Sequence, residues 1–226
     1  MLLSRNRAFT KEPSRVGQAK SFYIFCEGVK REKQYFQYFR EMDSRVNVEV
    51  YPLTAQEDNS PKGLLEIAKV CMLGTAATSP KYDYQKGDEV WLIFDTDPDK
   101  LASRQPQINA IRDFCRQQTT QTWFAAESNP CFEVWLYYHK QTKLINFDDQ
   151  DLCKAWKVQL TALMGGFNSQ KHPIYIIEAA QNAGKNFTKQ NDQPNVGSTE
   201  VYLLANNLLL ILKAKIDLAF KNMNLK

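Results

Sequence analysis

The sequence predicts an α/β protein whose mostly parallel β-sheet is flanked by helices and followed by a helical C-terminal part. Up to about residue 129, short apolar runs alternate with amphipathic segments of helical period, which is typical of a parallel sheet covered by helices. After Pro130 the strand patterns weaken and the helical period dominates. We therefore expect a basic arm at residues 1–20, an α/β core at 21–129, and a helical subdomain at 130–226 that packs on this core.

The individual elements follow in chain order from their hydrophobic patterns. We predict strands at residues 21–26, 46–53, 90–94 and 122–126, separated by helices at 32–42, 61–73 and 105–118. Ser60 and Pro61 suit the N-cap and the first turn of the second helix. In the C-terminal part the helical period predicts helices at 132–139, 148–164, 172–190 and 201–220, with Gly165-Gly166 ending the second of these. The last helix is expected to bury Leu203, Leu204, Leu208, Ile211, Leu212, Ile216 and Phe220.

Composition excludes several classes of protein. No apolar stretch approaches the roughly 18 residues of a membrane span, and the start is basic and polar, so we expect a soluble, cytoplasmic protein without membrane association. The five cysteines stand singly, never as C-x-x-C, and are expected to be reduced core residues. The two histidines are too few for a histidine-rich metal site, and residues 182–185 lack the rest of a phosphate-binding loop, so ATP hydrolysis is not expected.

The positive charge is concentrated at the N-terminus. Residues 1–20 hold five basic side chains and one acidic side chain, a surplus equal to the net charge of +4 of the whole chain. A basic arm of this kind often binds nucleic-acid phosphates without regard to sequence. The alternative is a solvated leader that contributes only to solubility.

Acidic side chains follow two of the predicted strands directly. Glu27 comes after the strand at 21–26, and Asp95 and Asp97 come after the strand at 90–94. Ligands gather at the carboxyl ends of parallel strands, and alternate residues of an extended chain share one side, so Asp95 and Asp97 are expected to point into the same space. Three carboxylates together repel one another unless a divalent cation neutralises them, and an all-oxygen donor set suits Mg²⁺ or Mn²⁺.

The alternative for the two aspartates is capping of the turn that follows them. Glu27 has no such capping task, since glycine follows it at the strand end, and burying its charge costs free energy. We therefore give Glu27 a functional interpretation and leave both interpretations open for Asp95 and Asp97.

This order of motifs resembles the Toprim domain shared by topoisomerases, primases and nucleases of the OLD type. The similarity is closer to the RloB-like group of bacterial abortive-infection loci, and it extends over roughly residues 20–215. It is carried by FYIFCEGVKREKQYFQYF (22–39), WLIFDTDPD (91–99) and SNPCFEVWLYYH (128–139). The chain departs from the group at Lys30-Arg31-Glu32, where family members commonly have a threonine before the second glutamate. We expect that change not to touch the site.

The resemblance implies a role for each acid. Glu27 would act as general acid or base or share the metal, and Asp95 and Asp97 would hold Mg²⁺ or Mn²⁺. Glu133 would be a further metal ligand or site organiser, or alternatively it would only complement the dipole of its own helix. His139 is expected to be structural.

The resemblance also implies a function, namely a metal-dependent endonuclease that cleaves DNA or RNA, including tRNA, in antiviral defence. A partner ATPase of the ABC type would gate it, and oligomerisation stays open. A different class of function is also consistent with the sequence: a non-catalytic subunit that binds nucleic acid or assembles a defence complex, in which the acidic crevice is vestigial.

Overall fold

The computed structural model describes residues 19–147 and 151–224. Within these ranges the chain forms seven helices and seven strands. The strands are β1 (Lys20–Cys26), β2 (Val46–Val50), β3 (Glu89–Asp95), β4 (Thr122–Asn129), β5 (Lys189–Gln190), β6 (Gln193–Pro194) and β7 (Ser198–Thr199). The helices are α1 (Arg31–Gln37), α2 (Pro61–Leu73), α3 (Leu101–Gln117), α4 (Glu133–Tyr137), α5 (Leu152–Met164), α6 (Ile176–Asn186) and α7 (Val201–Asn224).

The main sheet has five strands in the order β2-β1-β3-β4-β7. The first four are parallel, and β7 pairs antiparallel with β4. This mostly parallel sheet with helices on both faces is a Rossmann-like arrangement, and it confirms the predicted α/β class. Strands β1 and β3 are neighbours inside the sheet and run parallel, so both end at the same edge of the sheet. Ligands of parallel α/β sheets bind at this edge.

Alternate residues of the central strands enter two separate cores. Phe22, Ile24 and Trp91 face one core, which α1 and the helices α4 to α7 cover. Phe25 and Leu92 face the other core, which α2 and α3 cover. Because both faces are buried, β1 and β3 are apolar almost throughout rather than alternating, which is why the sequence shows them as continuous apolar runs.

Several predicted helix ends agree with the structure. The Ser60 side chain accepts a hydrogen bond from the Gly63 N–H and caps α2, and Gly165 adopts a left-handed conformation at the end of α5. The side chain of Asp151 caps α5 by accepting from the Lys154 N–H, whereas the earlier start predicted at residue 148 lies outside the described residues.

The helix predicted at 172–190 is wrong in extent. A short 3₁₀ turn, His172–Tyr175, precedes α6, and the backbone of Phe187 is extended, so α6 ends at Asn186. The chain then forms the small hairpin of β5 and β6. Strands of two residues leave no alternating pattern, and the sequence could not reveal them.

The C-terminal part does more than pack on the core, because β7 completes one edge of the main sheet. The following helix α7 buries a line of residues spaced by four, Leu204, Leu208, Leu212 and Ile216. Leu203 was expected in this buried stripe, but its side chain is exposed. The buried face of α7 is therefore narrower than the sequence predicted.

None of the helices in the described ranges is both long and apolar enough to cross a membrane. All five cysteines are free thiols, and three of them are buried. Residues 1–18 of the predicted basic arm lie outside the described residues. Lys20 belongs to β1 and forms an ion pair with Glu89 at 2.6 Å, so this one lysine is part of the fold rather than of an arm.

Candidate active site

Glu27 and Asp95 meet where β1 and β3 end side by side. The parallel register pairs Cys26 with Ile93, which brings the residues that follow to the same edge of the sheet. The Glu27 N–H donates to the Ile93 carbonyl at 2.9 Å, and the Asp95 N–H donates to Glu27 Oε2 at 3.2 Å. The structure therefore brings these two sequence-predicted acids together, as expected from the ends of parallel strands.

Arg104 of α3 fixes the position of Glu27. Its guanidinium donates to both carboxylate oxygens of Glu27, at 2.9 and 2.6 Å, and to the backbone carbonyl of Asp95 at 2.6 Å. Arg104 is buried, and a two-point contact of this kind fixes direction as well as distance. Sequence reasoning missed Arg104, because 77 residues separate it from Glu27 and nothing in its own helix marks it.

Glu133, the first residue of α4, reaches the same region and forms an ion pair with Arg31. Glu133 is buried, whereas Arg31 is exposed. The expectation that the departure at Lys30-Arg31-Glu32 would not touch the site is therefore wrong, since Arg31 holds one of the predicted site acids. An arginine near the start of α1 is long enough to reach across to α4, which a threonine is not.

Glu32 is an acidic residue of this region that sequence reasoning did not assign to the site. Its carboxylate lies directly above Gly28: a Cβ at residue 28 would be 1.7 Å from Glu32 Oε2. Burial, together with the charges of Glu133 and Glu27, raises the pKa of Glu32 to about 7. The sequence feature that could have indicated this contact is the Glu-Gly pair followed four residues later by a second glutamate. Only glycine leaves room for the Glu32 carboxylate to pack against residue 28.

Among the acids of this region, Asp95 is the one whose charged form the surroundings disfavour most. Burial raises its pKa well above the usual range, and the nearby charges of Glu32, Glu27 and Glu133 raise it further. Within residues 19–147 and 151–224, no basic side chain forms an ion pair with Asp95 or Glu32, and the hydrogen bond to the Glu32 carboxylate comes from its own backbone. We call Glu27, Glu32, Asp95 and Glu133 the acidic cluster.

Asp97 does not join this cluster. Strand β3 ends at Asp95, and Asp97 has a left-handed backbone with φ of +49°. Its carboxylate accepts a hydrogen bond from Lys100 Nζ at 2.8 Å. The expectation that Asp95 and Asp97 share one space is wrong, because alternation requires an extended backbone and the chain has already turned.

A cavity of about 630 Å³ opens beside the acidic cluster. Its lining combines three acids, three bases and three other residues: Glu32, Asp95, Glu133, Lys30, Arg31, Lys157, Gln34, Phe167 and Ser169. Lys157 belongs to α5, and Phe167 and Ser169 follow that helix. The C-terminal part therefore builds one wall of a cavity whose floor belongs to the sheet.

The donor set fits a hard divalent cation in its chemistry. Carboxylate oxygens are the ligands that Mg²⁺ and Mn²⁺ prefer. Burial first, and neighbouring carboxylates second, raise the pKa values of Asp95 and Glu32, and a bound cation would favour their charged forms. In the part of the chain that the structure describes, no three acidic, histidine or cysteine side chains are already arranged as a metal site. Arginines or a lysine hold Glu27, Glu133 and Asp97 instead.

His139 has a structural place. Its ring is buried and lies 3.1 Å from both the Tyr35 hydroxyl and the Trp135 carbonyl. Burial lowers the pKa of His139 to about 3, so the ring is neutral at physiological pH. This agrees with the structural role expected for His139.

A family model matches most of the chain. The family model described as RloB-like protein matches residues 22–208. This span begins in β1 and ends within α7, so it includes every residue of the acidic cluster. Searches of curated proteins and of solved structures gave no match.

Proposed function

The chain belongs to the RloB-like family, and we propose that it is a metal-dependent nuclease of the Toprim type that hydrolyses phosphodiester bonds of DNA or RNA. The observation that carries the proposal is the cavity whose lining combines the carboxylates of Asp95 and Glu32 with basic side chains. Such a cavity has anions for a divalent cation and cations for a phosphate in one place.

Asp95 and Glu32 are the first ligands that we assign to Mg²⁺ or Mn²⁺. The ion pairs of this region involve Glu133 and Glu27 instead. Glu133 and Glu27 would join them when Arg31 and Arg104 release an oxygen. Asp97 lies outside the cavity and would need a change of the turn to take part. When bound, the cation would polarise a phosphoryl oxygen and stabilise charge on the leaving oxygen.

Lys30 and Lys157 are suited to hold the substrate's phosphate. Both are exposed and line the cavity from opposite elements, the start of α1 and the middle of α5. Their backbone carbonyls accept hydrogen bonds from Gln34 and Thr161, whereas neither side-chain ammonium group has a hydrogen bond or ion pair to the residues that the structure describes. Cations kept apart from the acids of the same cavity can bind a polyanion without first breaking an internal contact.

Antiviral defence and a gating ATPase of the ABC type remain part of the proposal through the family resemblance alone, and a cytoplasmic location through the composition of the chain. One observation favours the alternative, a non-catalytic nucleic-acid-binding subunit: three of the predicted site acids are held by basic side chains. A vestigial crevice would be expected to neutralise its own charges in this way.

Replacement of Asp95 separates the two functions. We expect Asp95→Asn to lower Mn²⁺- or Mg²⁺-dependent cleavage of plasmid DNA or bulk tRNA by more than about 100-fold, with nucleic-acid binding retained. Asp99→Asn is the matched control, because Asp99 lies in the same motif but is exposed, and it should cleave like the wild type. A wild-type protein that binds these substrates but cleaves neither with either metal would overturn the nuclease and support the binding subunit.

A further inference from the structure

Strand β4 and the residue after it form hydrogen bonds to the turn at the end of β3, Asp95–Asp97. The Thr96 N–H donates to the Ser128 carbonyl at 2.9 Å, and the Asp97 N–H donates to the Pro130 carbonyl at 3.0 Å. The Thr96 hydroxyl donates to Glu127 Oε1 at 2.7 Å. Thr96 is buried, so its side chain points away from the cavity into the sheet.

This turn contains backbone strain that the three contacts must compensate. Asp97 has φ of +49° and ψ of 73°, a left-handed conformation that costs free energy for residues other than glycine, although less for Asp and Asn than for most. Such a conformation persists only where surrounding contacts fix it. The contacts of Thr96 and Asp97 to β4 and the residue after it supply that constraint.

Glu127 belongs to a charged network behind the turn. Its second oxygen accepts from Arg112 Nη2 at 2.8 Å, and the same nitrogen donates to Glu200 Oε2 at 2.8 Å. The Glu127 N–H also donates to Glu200 Oε2, at 3.1 Å. We call Thr96, Arg112, Glu127 and Glu200 the Glu127 network; it joins the β3 turn to α3, β4 and the start of α7.

Stability alone gives a poor account of this network. Glu127 is 1% exposed and Glu200 6%, and two carboxylates share one guanidinium, so a net negative charge is buried. The Arg112 Nε is buried without a partner among the described residues. Buried ion networks of this kind often stabilise a protein no more than apolar side chains of similar volume do. The effect that we assign to this network is therefore the geometry of the turn attached to it.

We propose that Thr96 and Glu127 are positioning residues that hold the β3 turn so that Asp95 faces the cavity and Asp97 stays outside it. The inference deepens the proposed function and rests on it, since a fixed Asp95 matters only if the carboxylate binds a cation. Side chains that orient metal ligands from behind typically change metal affinity by about 10- to 100-fold when they are replaced.

The test measures Mn²⁺ binding to the full chain by titration calorimetry, with thermal unfolding recorded beside it. Thr96→Val keeps the volume and removes the hydroxyl, and we expect it to weaken Mn²⁺ binding by at least about 10-fold. Thr96→Ser restores the donor and should bind Mn²⁺ like the wild type. Tyr23→Phe is the matched control: this buried side chain lies on β1, and its hydroxyl donates to the Asp83 carbonyl at 2.9 Å, away from the β3 turn.

If Tyr23→Phe lowers the melting temperature as Thr96→Val does but leaves Mn²⁺ affinity unchanged, the effect of Thr96 is positional and the inference holds. Equal Mn²⁺ affinity of Thr96→Val and the wild type overturns it while the nuclease proposal stands. A wild type that binds no Mn²⁺ overturns the metal-dependent function itself, so the two failures are distinguishable.

Discussion

Gly28 controls the approach of Glu32 to the acidic cluster. A Cβ at this position would lie 1.7 Å from Glu32 Oε2, and the backbone of Gly28 is not left-handed, so alanine there would move the glutamate and not the chain. We expect Gly28→Ala to weaken Mn²⁺ binding by about 10-fold with less than about 1 kcal/mol change in the free energy of unfolding. Calorimetric titration and urea unfolding measure the two quantities.

Gly184→Ala is the control for that variant, because an added Cβ in α6 would meet only Tyr202, at an ordinary 3.5 Å. Normal Mn²⁺ affinity in Gly28→Ala would show that Glu32 is not a ligand.

The pKa of Glu32 predicts how stability depends on pH. Folding raises this pKa from the ordinary 4.5 to about 7, so the folded state disfavours the charged form. The associated stability is complete below pH 4.5 and is lost as pH rises through about 7. In metal-free buffer we expect the wild type to lose about 1 kcal/mol per pH unit between pH 5 and 7 relative to Glu32→Gln.

Urea unfolding at several pH values, with and without Mg²⁺, measures this difference. Mg²⁺ should reduce the loss, since a bound cation favours the ionised carboxylate. Parallel pH profiles for the two proteins would contradict a charged Glu32 in the acidic cluster.

At the scale of single residues, the sequence predicted the positions of two acids but not the arginines that hold the site acids. Glu27 and Asp95 could be placed because each ends a recognisable strand, and strand ends of a parallel sheet converge. Arg31 and Arg104 could not, because each meets its acid across a separation of 102 or 77 residues that no local pattern encodes. Asp97 was misplaced because a left-handed residue directly after a strand leaves no signature when it is not glycine.

At the scale of elements, long periodic segments were predictable and short ones were not. Strands β1 and β3 and helices α2, α3 and α7 follow from apolar runs or from helical period. The two-residue strand β7 is set by tertiary contacts: the Gly197 N–H donates to the Asn129 carbonyl at 2.7 Å, and the Glu200 N–H donates to the Glu127 carbonyl at 2.8 Å. These bonds exist only once β4 is in place.

The two faces of α7 should respond differently to substitution. Leu208 is fully buried against the main core, whereas Leu210 is 82% exposed. We expect Leu208→Ala to lower the free energy of unfolding by about 2–5 kcal/mol and Leu210→Ala to change it by less than about 0.5 kcal/mol. Urea denaturation of both variants tests this, and a comparable loss for Leu210→Ala would indicate that a second surface covers α7.

At the scale of the whole molecule, the basic arm can be separated from the cavity. Residues 1–18 contain four basic side chains and one acidic side chain, while Lys20 is already paired with Glu89. If the four bases contact phosphates, deletion of residues 1–18 should flatten the slope of log affinity against log salt by about 3 to 4. Fluorescence anisotropy with labelled DNA and RNA at several salt concentrations measures this slope.

The control replaces the four arm bases by glutamine in the full-length chain, and it should give the same flatter slope. A slope that neither change affects would assign the arm to solubility alone. In either case the acidic cluster is untouched, so Mn²⁺ affinity should stay at the wild-type value.

The residues of the Glu127 network are synthesised at different times, because they lie far apart along the chain. Thr96 and Glu127 are made early, whereas Glu200, which completes the network, comes more than a hundred residues after Thr96. At about 5–20 residues per second, the ribosome needs roughly 5–20 s to cover that distance, and Lys157 of the cavity wall is made within the same interval. A nascent chain therefore carries all four residues of the acidic cluster before the Glu127 network that holds the β3 turn is complete.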